Sequence, residues 1–245
     1  MLVLAIALLA GLAVGVAASF VDFLGIIGAI LPALAVAIVT YVVLMRRTNV
    51  ELQAAMMGVQ SAIQRRNVDE AIVILEAIKR RFSRWAFFLG AQIDGQIGSI
   101  HFMKREFDKA RTYLDRSFVR NWDARLMLAV LVSGALDKKK KGDLAQADAI
   151  LEKAARYSPK QGLLWSTWAW LHWNADDEKK AIEILNRGKQ ALGESDPHLT
   201  HNLLALQNDK KMKMKGYGDP WYALHLEQHP MVMQAQRGGV RFARR

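Results

Sequence analysis

The 245-residue chain carries 34 Lys+Arg against 23 Asp+Glu, a net charge of +11, with 52% hydrophobic residues and no cysteine. The missing cysteines exclude a disulfide framework, a cysteine nucleophile, thiolate zinc sites and Cys-ligated iron–sulfur centres. Asp22 is the only charged side chain before Arg46, so the remaining 200 residues carry a net +12. The averages therefore hide an apolar membrane segment joined to a basic, water-exposed domain.

The apolar run over residues 1–45 is too long for one tilted helix, because about 20 residues already cross roughly 30 Å of hydrocarbon. Two spans are expected, at about Leu2 to Ser19 and Leu24 to Leu44, with the reversal around Asp22, which is costly at mid-bilayer and cheap at a surface turn. Gly11 and Gly15 form a GxxxG face, and Gly25 and Gly28 lie near the turn, so the two helices are expected to pair within the hairpin, with dimerisation through the same face left open. A cleaved signal peptide is disfavoured, since the first span has no basic leader and a second span follows at once. Arg46 and Arg47, backed by Arg65, Arg66, Lys79, Arg80, Arg81 and Arg84, predict a cytoplasmic large domain. Pro32 should kink the second span or be absorbed by its neighbour.

From Leu52 to Leu206 apolar residues recur at three and four, as in Ala71, Ile74, Leu75 and Ile78, and no strand signal intervenes. A phrase recurs in which an Ala opens a helix after a short polar turn: Ala71, Ala110, Ala147 and Ala181, at intervals of 39, 37 and 34 residues. The last interval is a known helical-repeat period. Further positions recur with it: Gly98 and Leu114; Ala135, Leu151, Ala154 and Pro159; Trp165, Trp168, Ala169, Leu185 and Gly188.

On these residues the chain resembles the tetratricopeptide repeat (TPR) family over about Leu52 to Gly193. The first copy is the weakest and the third and fourth match best. The resemblance implies an all-α fold, an α-solenoid of about four TPR helix pairs preceded by a two-helix transmembrane hairpin. The small residues would let paired helices approach closely, and the bulky ones would fill the gap to the next repeat. The domain boundaries expected are 1–47 for the anchor, 48–207 for the TPR-like solenoid with a capping helix from Asp196-Pro197, and 208–245 for a basic linker, a short helix over Trp221 to about Gln228 and a disordered tail.

The resemblance also implies a peptide-binding groove lined by the first helix of each pair. Carried over copy by copy, its residues would be Gln60 and Gln64; Gln92, Ser99 and Phe102; Lys139 and Lys140; and Trp170, Trp173 and Asn174. Trp165 and Trp168 would take packing positions, together with Ala71, Gly98, Ala110, Ala135, Ala147, Pro159, Ala169 and Ala181. Val132 and Leu136 stand where some members carry a Lys/Asn clamp for acidic C-terminal peptides, which disfavours a chaperone-tail receptor. The aromatic segment from Tyr217 to Leu226 is expected to fold back onto the groove, the alternative being a docking motif read by another protein.

Lys138 to Lys141 read as a solvated face or as a contact for an acidic partner or anionic lipid. The Arg-Gly-Gly tail is too short a signal for RNA binding, so nucleic acid is not expected as a partner. His225 and His229 flank Glu227 in an order unlike that of metalloproteases, so no metal or other cofactor is expected. No nucleophile, base and oxyanion set can be assembled, and the expected function is not enzymatic. It is a membrane-anchored scaffold or adaptor at the cytoplasmic face of a bilayer (the inner or plasma membrane in a bacterium), similar to assembly and quality-control factors of bacterial inner membranes. The competing reading is a membrane-associated polyanion binder acting through RNA or anionic lipid contacts.

Overall fold

The computed structural model describes residues 2–19, 25–85, 88–137 and 142–230, with the backbone alone over 25–29. Asp22, Lys138 to Lys141 and the tail beyond Pro230 lie outside the described residues. The fold is all-α, with no strand among the described residues. Two compact units are present, Met1–Ile93 and Asp94–Arg245.

The first unit begins with α1 (Leu2–Ser19) and α2 (Gly25–Gln64), both long and apolar enough to cross a membrane. They pack through small residues. A Cβ on Gly11 would lie 2.7 Å from the Ala33 carbonyl oxygen and 2.8 Å from the Ala37 Cβ, and one on Gly15 would lie 3.1 Å from the Ala33 Cβ. The GxxxG face is thus used inside the hairpin. Helix α2 runs through Pro32 and on past Arg46 for 40 residues, about 60 Å at 1.5 Å per residue. The expected boundary at residues 47–48 therefore falls within one continuous helix. α3 (Val68–Phe82) packs back on α2, burying Ala71, Leu75, Ile78 and Phe82.

Helix α4 (Leu89–Met103) leads into the second unit, which continues with α5 (Phe107–Asp115), α6 (Trp122–Val132), α7 (Leu144–Tyr157), α8 (Gly162–Trp173), α9 (Glu178–Leu192) and α10 (Pro197–Gln207). One turn recurs between helices. Asn67, Glu106, Asp177 and Lys210 each donate a backbone N–H to the carbonyl five residues earlier, on Ala62, His101, His172 and Ala205, at 2.9–3.0 Å. The residue before each donor is left-handed: Arg66, Arg105, Asp176 and Asp209, with φ between 54° and 63°. Such a turn satisfies carbonyls that the helix end leaves without partners. The Asn67 and Asp177 side chains then accept from Glu70 and Lys180 N–H and start the next helix.

The third turn is different. Asp143 N–H donates to the Val132 carbonyl at 3.0 Å, so the same bond closes across six additional residues. Counting back three from each acceptor gives Val59, Gly98, Ala129, Ala169 and Asn202, all buried. Counting forward four from the donors gives Ala71, Ala110, Ala147, Ala181 and Met214, which are no more than 1% exposed. Ala135, expected at the small position of the third pair, instead lies in the turn beyond α6 and is half-buried. Ala129 takes its place, because the twelve-residue spacing does not hold across the longer turn. Pro159 is exposed, and its carbonyl accepts from Trp165 Nε1 at 2.8 Å.

The long turn closes on Gly142, where a Cβ would sit 1.9 Å from the Ser133 carbonyl oxygen. Gly142→Ala is expected to cost about 1–3 kcal/mol, as backbone must move to admit the methyl. A melting curve beside that of the unmodified protein checks this; unchanged stability would contradict it.

Trp165 and Trp168 stack at 5.7 Å in the main core, with the Arg187 guanidinium over both rings at 5.6 and 5.2 Å. Asp148 of α7 joins α8 through a single carboxylate oxygen, which accepts from Trp168 Nε1 at 2.6 Å and lies 2.8 Å from His172 Nε2.

Candidate binding face

After α10 the chain does not form another long helix. A 3-10 turn (Met214–Tyr217) and a single helical turn, α11 (Asp219–Tyr222), are followed by turns through Glu227. The helix expected to reach Gln228 ends at Tyr222, and His225 has φ 58°, so His225 and His229 do not share a helix face. Their rings go to different partners, His225 to Phe102 and His229 to Tyr222. No cluster of three metal-ligating side chains occurs among the described residues.

This segment lies across the second unit in reverse chain order. At α10, the Asn202 side chain accepts from Lys213 N–H at 2.8 Å and its amide reaches Met214 Sδ at 3.5 Å. Between α10 and α8, the Tyr217 hydroxyl is 2.7 Å from Ser166 Oγ and donates to Asp196 Oδ2 at 3.1 Å. Burial pushes the Tyr217 phenol pKa well up, so the ring stays neutral and keeps its proton for this bond. At α8, Trp221 is fully buried, packed edge-on against Trp170 at 5.3 Å, with Nε1 donating to Glu227 at 3.0 Å. At the end of α4, His225 stacks on Phe102 at 5.5 Å and meets Phe107 edge-on. Met212, Met214 and Leu224 are buried along the way.

Two of the expected groove residues, Phe102 and Trp170, are thereby brought under one covering segment and are 0% and 7% exposed. They are not a free surface, because His225 and Trp221 occupy it. Trp173 is half-buried against the main core and Asn174 is exposed at the end of α8. Ser99 is half-buried, its hydroxyl donating to the Gly95 carbonyl at 2.9 Å. Gln60, Gln64 and Gln92 are exposed residues of the first unit. Lys139 and Lys140 lie outside the described residues. Ser166, Asp196 and Asn202, which hold the covering segment by hydrogen bonds, were not among the expected groove residues; the buried amide of Asn202 sits three residues before its turn acceptor, where the other turns have Val, Gly or Ala.

The His225 pKa is lowered, first by burial and then by the nearby Arg105 charge, while hydrogen bonding to the Phe102 and Met103 carbonyls pulls the other way. A depressed histidine pKa means the folded state resists protonation. Its contribution is complete above the ordinary value near 6.5 and is lost as pH falls below it. Docking of residues 212–226 is therefore expected to weaken as pH falls below about 6.5, seen as faster amide exchange of that segment. A His225→Gln variant should lose the part of this pH response that His225 supplies; an identical response in both would contradict the assignment.

No known protein family, curated protein or solved structure matches the chain.

Proposed function

We propose that the chain is a membrane-anchored adaptor, in which α1 and α2 form a transmembrane hairpin and TPR-like helix pairs present a peptide-binding face to the cytoplasm. The observation that carries this reading is the seating of residues 212–226 on that face. A surface that takes an irregular segment through two aromatic contacts and several side-chain hydrogen bonds has the chemistry to take a partner peptide of the same kind. The recurring turns and the row of buried Ala at Ala71, Ala110, Ala147 and Ala181 support the repeat assignment. The basic residues following the apolar stretch support the orientation.

The adaptor acts by local concentration and needs no chemistry. Anchoring brings bound partners together at the bilayer, and the tethered segment competes with them at the high effective concentration of a short linker. A partner must displace Trp221 and His225 before it reaches Trp170 and Phe102. The test is affinity capture of full-length protein from gently solubilised membranes, beside Trp221→Ala and beside unmodified protein challenged with a synthetic peptide of residues 212–228. A protein enriched by Trp221→Ala and displaced by the peptide is the expected result. Identical recoveries in all three arms would overturn the reading.

A further inference from the structure

Where the apolar stretch of α2 ends, the end of α3 packs beside it and leaves a cavity of about 240 Å³. Arg47 and Thr48 of α2 and Arg81 of α3 give it a polar side, while Leu44, Phe82 and Trp85 give it an apolar one. Glu51 ties the two arginines together, at 2.8 Å from Arg81 and 3.5 Å from Arg47. One carboxylate against two guanidiniums leaves a net positive charge. Each guanidinium carries five N–H donors, and the Arg47 and Arg81 side chains are 80% and 69% exposed, so donors remain accessible.

The position of this cavity is as informative as its lining. Leu2 N–H, at the start of α1, donates to the Arg84 carbonyl at 3.0 Å. The first residue of α1 thus meets the turn that carries Trp85, and Trp85 lines the same cavity as Leu44 near the end of the apolar part of α2. If both helices span a bilayer, this is the headgroup level, where tryptophan is favoured and arginine meets phosphate.

We propose that this cavity is a binding site for one anionic phospholipid, with Arg47 and Arg81 donating to the phosphate oxygens and Leu44, Phe82 and Trp85 receiving the base of the acyl chains. Planar guanidinium forks suit tetrahedral phosphate. An anionic headgroup is favoured over a choline one, because a quaternary ammonium would add positive charge beside Arg46, Arg80 and Arg84. The proposal rests on the membrane-anchored reading.

The test uses full-length protein in detergent micelles, titrated with phosphatidylglycerol or phosphatidylcholine and followed by native mass spectrometry. One retained phosphatidylglycerol is expected, weaker retention of phosphatidylcholine, and an affinity for phosphatidylglycerol about tenfold lower in the double variant Arg47→Gln, Arg81→Gln. The double variant Lys153→Gln, Lys189→Gln removes the same two charges elsewhere on the chain and should leave retention unchanged. Equal retention by the double variant would overturn the site, and displacement of the lipid by excess inorganic phosphate would overturn the lipid as its ligand. Alkaline extraction of native membranes separates this from the reading beneath it: protein released to the supernatant overturns both, while protein that stays in the membrane but ignores the two arginines overturns the lipid site alone.

Discussion

Trp221→Ala is expected to release residues 212–226 from the second unit and to cost about 3–5 kcal/mol, the usual range for emptying a fully buried tryptophan site. The side chain is enclosed, packs edge-on against Trp170, and donates to Glu227. Alanine leaves Trp170 facing a void and leaves the half-buried Tyr222 as the large side chain between Tyr217 and Leu224. The loss falls first on docking of the segment and reaches the helices through the core cluster that Trp221 and Leu224 share with Leu151, Trp168 and Leu185, while the cluster around Phe102, Leu114 and Leu128 does not include Trp221. Lys210, Lys211, Lys213 and Lys215 immediately precede the anchors, so trypsin reports release directly. Cleavage there should accelerate by roughly two to three and a half orders of magnitude if it follows the open population. An unchanged cleavage rate would mean that Trp221 does not hold the segment.

Asp148→Ala should destabilise the second unit globally, by about 1–3 kcal/mol for each buried polar group left unpaired. Its carboxylate oxygen receives the Trp168 indole N–H and contacts His172 Nε2, and both side chains are nearly buried. His172 Nδ1 has no hydrogen-bond partner, although Asp177 lies 3.6 Å away, so the ring depends on Asp148 for its close bond. Removing the carboxylate also takes away a polar tie between α7 and α8, leaving their apolar packing. Asp148→Asn, which keeps one acceptor, is expected to lose less. Chemical denaturation of the three proteins checks the order, and equal midpoints for the unmodified protein and Asp148→Ala would contradict it.

The helices and most of the close packing positions were legible because they follow a period. Ala71, Ala110, Ala147 and Ala181, picked out by spacing, are buried, and Asp196 caps α10 by accepting from Leu199 N–H at 3.0 Å. Ala135 was misplaced because the pattern was counted across a turn six residues longer than its counterparts. The signal that locates Ala129 is the carbonyl of Val132, a backbone partner that a spacing rule does not see. The continuity of α2 through Arg46 was hidden by the abrupt change from apolar to charged residues, which alters the solvent without breaking a helix. The contrast between Trp170 and Trp173 was only half legible, since both stand on α8 and only contact with Trp221 decides which is covered. Ser166, Asn202 and Asp148 belong to no sequence pattern; their roles come from partners 51, 11 and 20 residues away in sequence.

The most direct test of the central claim, that the covered face is a peptide-binding site, is binding of a fluorescent peptide of residues 212–228 to full-length protein. The double variant Trp221→Ala, His225→Ala should bind it saturably at one site, and the unmodified protein should bind it far more weakly because its own segment is in place. Equal binding by the two proteins, or none by either, would contradict the account.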